Sequence, residues 1–203
     1  MPVVVVGLKE ALKAMHTLQP ELETNLRLGV EQALMPVMRH AQALVPETVG
    51  GLRNWTRVGK KETSKHFPTF SKAEVVRGIT LQFGAKKRSA SGFQSLIRIA
   101  NLSRAGAIYE TAGRKNPRGQ DWIGRQNYAN HKMSHSLNPE AGMHFINSLP
   151  LMKGVGPVRG RLIYKAWEED HGRAAQAVLK VIDKIAAKSM ATAKSSSWRR
   201  EAA

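Results

Sequence analysis

Pro20-ELETNLRLGVEQALMPVMRHAQA-Leu44 decides the architecture of this chain. Leu22, Leu26, Val30, Leu34, Met38, Ala41 and Leu44 recur every three or four residues, the period at which side chains share one face of an α-helix. Glu21, Glu23, Arg27, Glu31 and Arg39 fall mainly off that stripe, so the spacing predicts one long amphipathic helix. Pro20 suits its first turn, where a missing amide hydrogen costs nothing. Pro36 lies inside the pattern, removes a backbone hydrogen bond and predicts a bend or a division. Upstream, Leu8, Leu12 and Met15 keep a similar rhythm. The opening apolar run, Val3 to Val6, is too short for a signal sequence or a membrane span, and a soluble protein made in a cytosol is expected.

The helical rhythm stops at Val45-Pro46. Residues 47–72 mix Gly50, Gly51, Lys60, Lys61, Lys65, His66 and Pro68 with isolated aromatics at Trp55, Phe67 and Phe70, which predicts a long loop. Ile79, Leu81 and Phe83 then alternate with Thr80 and Gln82, and Leu96, Ile97 and Ile99 form a second short β-like run. Between them, the Gly, Ser and basic content of residues 84–92 predicts a hairpin tip that carries Lys86, Lys87 and Arg88 into solvent. Residues 107–110 are assigned to a third short strand, and 113–139 to a polar, irregular stretch.

Helical spacing returns in the C-terminal third with Leu162, Ile163, Ala166 and Trp167, then Ala174, Val178, Ile182, Ile185 and Ala186. Gly172 weakens the join between the two series, and Asp170 is placed to cap the second. Lys180, Lys184 and Lys188 lie on the other face and are read as a solvated surface. The expected fold is α+β: long N-terminal and C-terminal helices packed on a small, mostly antiparallel sheet of three or four strands, with long loops. One domain spans 1–190, with long loop insertions at about 54–72 and 114–157, and residues 191–203 form a basic C-terminal tail.

Charge is unevenly placed. The 203 residues carry 32 Lys+Arg against 15 Asp+Glu, a formal net charge of +17. Residues 51–137 hold 17 basic and 4 acidic groups, a net of +13, whereas residues 1–50 are net −1. A field of that size draws polyanions, nucleic acid foremost. Aromatics make up only 6% of the chain, so the core is expected to be aliphatic. There is no cysteine, which excludes disulfides, thiolate metal sites and a cysteine nucleophile.

Catalytic patterns are weak. His131 and His135 have metal-ligand spacing, but Lys132 stands where a zinc protease has its glutamate, and no third ligand follows at a standard distance. His171 beside Glu168, Glu169 and Asp170 reads as an exposed acidic turn. Gly154-Val-Gly156-Pro-Val-Arg-Gly160 departs from a phosphate-cradling loop by one residue, and Pro157 removes an amide that could face phosphate; a plain loop is expected there. No catalytic residue, cofactor or metal is assigned.

Two constellations are more specific. In Ala43-Leu-Val-Pro46-Glu-Thr-Val-Gly50-Gly-Leu52-Arg53 a helix ends before proline, turns over a glycine and resumes with Leu-Arg. In Ala107-Ile-Tyr109-Glu110-Thr-Ala-Gly113 a strand would end in a turn, with Tyr109 and Glu110 on opposite faces. Together with Val6-Gly7-Leu8 near the start, and in this order, they resemble the tail-completion (minor tail, or neck) protein family of long-tailed bacteriophages. Pro46, Gly50, Leu52 and Arg53 match that family's turn spacing, while Glu110 and Gly113 stand one residue further apart than its pattern has them. The resemblance covers about 100 residues in three pieces, and 54–72 and 114–157 have no counterpart in it.

The resemblance implies a non-enzymatic part of the virion neck or tail, assembled from host cytoplasm as a homo-oligomeric ring, with six copies as the expected number. Its implied neighbours are tail-terminator, tail-tube or head-completion proteins, with genomic DNA nearby and no sequence reading; no membrane is involved. Lys60, Lys61, Lys86, Lys87 and Arg88 are the expected DNA-facing residues. The charge alone supports an alternative, a free sequence-independent nucleic-acid-binding protein.

Overall fold

A computed structural model describes residues 20–49, 55, 68–84, 97–119 and 138–201. The elements are α1 (Pro20–Ala43), α2 (Lys72–Gly78), β1 (Ile79–Phe83), β2 (Ile97–Asn101), α3 (Arg104–Thr111), α4 (Ala141–Asn147), β3 (Lys153–Val155), β4 (Val158–Gly160) and α5 (Ile163–Glu201). This is an α+β chain with long helices toward both ends, as the apolar spacing predicts. The strands form two separate two-stranded sheets, β1 with β2 and β3 with β4, in place of one sheet of three or four.

The described residues fall into two compact units. One takes those up to Val37, those between Leu81 and Arg98, and those from Asp170 onward; the other takes Met38–Thr80 and Ile99–Glu169. In the first unit, Leu26 and Val30 of α1 are buried with Ile185 of α5, and Leu34, Ile97, Val178, Val181 and Ile182 pack against them. These side chains are aliphatic and follow the three-to-four spacing, so one stripe from each helix is removed from water. Gly29 lets the helices close: a Cβ there would collide with Val181. Across the β1–β2 pair, Arg98 forks onto Gln82 Oε1 through Nε at 3.1 Å and Nη2 at 2.8 Å.

In the second unit, the end of α1 buries Ala41, and Gln42 Nε2 donates to the carbonyls of Val76 at 3.2 Å and Ile79 at 3.0 Å. That side chain satisfies backbone acceptors where α2 passes directly into β1. Val45 and Val49 are buried on either side of Pro46, and exposed Glu47 pairs with Lys72 at the start of α2. Trp55 is buried, donates through Nε1 to the Pro68 carbonyl at 2.8 Å, and meets Phe70 and Phe145 edge-on at 5.3 and 5.0 Å. Phe70 in turn lies 5.7 Å from the Tyr109 ring. This part of the core is aromatic, against the aliphatic expectation.

Several other expectations are corrected. Residues 107–110 are helical: Ser103 caps α3, its Oγ accepting the Gly106 amide at 3.0 Å, and Ala105, Gly106, Tyr109 and Glu110 share one buried face. An apolar run this short fits either a strand or a buried helix face, and the cap decides. Tyr109 and Glu110 are therefore both buried instead of facing opposite ways.

Residues 153–160 form an antiparallel hairpin, with Lys153 opposite Gly160 and Gly154 opposite Arg159. Within 114–157 the structure places α4 and β3. Helix α5 runs through Gly172 without a break and continues as helix to Glu201, across most of the expected tail. Asp170 is inside that helix and pairs with Arg173 in the next turn. Helix α1 likewise continues through Pro36 undivided.

Candidate functional site

Glu110 is the only acidic residue between Glu74 and Asp121, in the most basic part of the chain. It is 4% exposed. Its carboxylate accepts the amide hydrogens of Arg161 at 3.2 Å, of Leu162, and of Tyr164 at 3.0 Å. These amides open α5 and have no acceptor within that helix, so a side chain from α3 supplies what an N-cap residue would. The negative carboxylate also stands at the positive end of the helix dipole.

Arg161 performs the converse service. Its Nη1 donates to the carbonyls of Tyr109 and Ala112, both at 2.9 Å, and its Nε to that of Pro150 at 2.6 Å. The first two carbonyls close α3, where a cation is favourable. No guanidinium–carboxylate ion pair joins Glu110 to Arg161; each charge instead satisfies the other segment's backbone. Burial pushes the Tyr109 hydroxyl pKa up, with the Arg161 charge opposing and the Glu110 charge adding. It pulls the Arg161 pKa down, opposed by Tyr109 and Glu110.

Two glycines fit this junction. Gly113 has φ of +81°, and a Cβ there would stand 2.7 Å from Ile146 Cγ2. At Gly160, a Cβ would overlap the Glu110 carboxylate. Both positions therefore exclude ordinary side chains for reasons of packing, and at Gly113 also of backbone conformation.

A second group lies alongside. The Arg114 guanidinium sits 4.6 Å over the ring of Tyr164, the residue whose amide Glu110 accepts. Arg159, on β4, donates from Nη2 to the Arg114 carbonyl at 3.0 Å. Arg114 Nε and Nη2 and Arg159 Nε are buried without a hydrogen-bond partner. Lys115 and Arg118, on the same turn as Arg114, are exposed.

The expected site residues divide sharply. Pro46, Tyr109, Glu110 and Gly113 all lie in the second unit, Pro46 half-buried in the turn after α1 and the other three at the α3–α5 junction. Lys60, Lys61, Lys86, Lys87, Arg88, Gly50, Leu52 and Arg53 lie outside the described residues, as do His131 and His135. Lys180, Lys184 and Lys188 are exposed on α5. Glu169 faces His40 at 3.4 Å.

Among the described residues, no group of three or more His, Asp or Glu side chains could hold a metal ion, and no helix is long and apolar enough to cross a membrane. Arg161, Arg114 and Arg159 were not singled out by sequence reasoning. The available signal was the lone Glu110, a carboxylate that had to find donors inside the basic segment. No protein-family model, no curated protein and no solved structure matches the chain.

Proposed function

We propose that this chain is a structural subunit of a phage head-to-tail junction, a tail-completion or neck ring component joining tail to head around the DNA path. It acts by assembly and not by catalysis. The observation that carries the reading is the order of its parts: a long helix, the Pro46 turn, a strand pair, Glu110 and Gly113, and a C-terminal helix. The junction gives two of those motif residues a physical reason, since Glu110 caps α5 and Gly113 admits the turn that follows α3. The net charge of +13 over residues 51–137 suits a protein that works beside a polyanion.

Particles assembled without the protein test this directly. Negative-stain images are expected to show separated heads and tails or defective necks, and normal infectious particles would overturn the reading. The same charge favours a second reading, a free nucleic-acid-binding protein. Tight, salt-dependent DNA binding by the monomer at physiological ionic strength, together with intact necks in its absence, would select that one.

A further inference from the structure

We propose that Pro36 and Gly172 are paired hinge points at which α1 and α5 bend together, allowing the two compact units to reorient. Four segments of chain run from one unit to the other, and two of them are these helices: α1 crosses after Val37 and α5 after Glu169. Each crossing lies within three residues of the weakest point of its helix. Pro36 has no amide hydrogen, so it leaves the Gln32 carbonyl without a helical partner and crowds it with its ring. Gly172 is the one glycine in α5, and that helix holds no proline. It is exposed, and a Cβ there would meet nothing within 4 Å, so packing does not close off its backbone freedom. Gly29 of α1 differs, because Val181 sits over it.

On either side of these points the helices are held to each other. Within the first unit, Leu34 of α1 and Val178 of α5 pack on the core of Leu26, Val30 and Ile185. Within the second, His40 Nε2 of α1 lies 3.4 Å from Glu169 Oε2 of α5. Pro36 falls between Leu34 and His40, and Gly172 between Glu169 and Val178, so the unclamped stretch of each helix contains its own weak residue. A bend in one helix is thereby passed to the other, with the φ/ψ change absorbed at a few positions, as in other hinges. The remaining two crossings run through β1, after Thr80, and β2, before Ile99. Among the described residues that sheet has two strands, and two-stranded ribbons accommodate larger twists than broad sheets. The inference stands apart from the proposed function and is tested on the isolated chain.

The chain has no cysteine, so spin labels can be placed at chosen pairs of sites. One pair spans the hinge: Leu179→Cys on α5 in the first unit and Val155→Cys on β3 in the second. Two control pairs stay within a unit, Leu28→Cys with Leu179→Cys and Leu102→Cys with Val155→Cys. All four positions are exposed. Double electron–electron resonance should give the spanning pair a distance distribution at least about twice as wide as either control. Combining Pro36→Ala with Gly172→Ala should narrow it by about a third or more and leave the controls unchanged. Both substitutions favour helix at exposed positions, so the fold is retained. A spanning distribution no wider than the controls would overturn the proposal. So would a wide one that the two substitutions leave unchanged, because the motion would then lie elsewhere. As a second readout, hydrogen exchange in the turn around Gly172 should run about tenfold faster than at Ile182–Ile185 and slow in Gly172→Ala. Equal protection in the two stretches would count against the hinge.

Discussion

Glu110 and Arg161 cap each other's helices without forming an ion pair: the carboxylate takes amides at the start of α5, and the guanidinium takes carbonyls at the end of α3. Two buried charges thereby satisfy five backbone groups, three amides at the start of α5 and two carbonyls at the end of α3. Removing either leaves the other segment's polar groups dry. Glu110→Ala is expected to destabilise the chain by about 3–5 kcal/mol, and Glu110→Gln, which keeps one acceptor oxygen, by about 1–3 kcal/mol. Urea unfolding followed by circular dichroism would measure both, and losses under about 0.5 kcal/mol would contradict the capping role.

Tyr109 gives a pH dependence at the same junction. Its hydroxyl pKa is raised by burial, so above the ordinary tyrosine range the folded chain holds a proton that the unfolded chain has released. Its contribution is fully present below about pH 10 and declines as pH rises through the folded value. Tyr109→Phe should flatten that alkaline decline in melting temperature. An unchanged slope would assign the alkaline loss to other groups.

The two long helices meet at a point that can be tested by compensation. A methyl group at position 29 would collide with Val181, so Gly29→Ala is expected to cost about 1–3 kcal/mol despite its better helix propensity. Combined with Val181→Ala, the loss should be partly recovered. A double-mutant cycle with no coupling would show that the helices separate instead of colliding.

Gly172 makes the opposite case. It is exposed within α5, and a Cβ there meets nothing within 4 Å. Gly172→Ala should stabilise the chain by about 0.5–1 kcal/mol through helix propensity alone. Thermal melting would check it, and destabilisation would argue for a break in α5 at that residue.

These positions also show where the sequence could and could not be read. The α1 stripe and the later α5 stripe were legible because buried aliphatic side chains must recur at the helical period, and Leu26, Val30, Val178, Ile182 and Ile185 do so in the first unit. Ile79 and Ile97 marked their strands by alternation. Residues 107–110 misled because four residues do not complete a period, and the deciding cap, Ser103, lies before them. Gly172 misled because a weak propensity penalty is easily overridden by burial of Ala166 and Ala174 on either side. The Glu110–Arg161 junction joins residues 51 apart in sequence, and its partners are mainly backbone groups, which leave no mark in residue type.

Trp55 carries a consequence for how this protein can vary. The indole donates to Pro68, and the Trp55 carbonyl accepts the Phe70 amide at 2.5 Å, so residues 55 and 70 are neighbours and the chain between them leaves and returns at one doorway. The two ends of the intervening segment are held to each other by these bonds. Doubling the length of that segment costs only about 0.6 kcal/mol of closure entropy. Length at that point can therefore change under selection, or by engineering, while Trp55 and Phe70 keep the ends of the segment together.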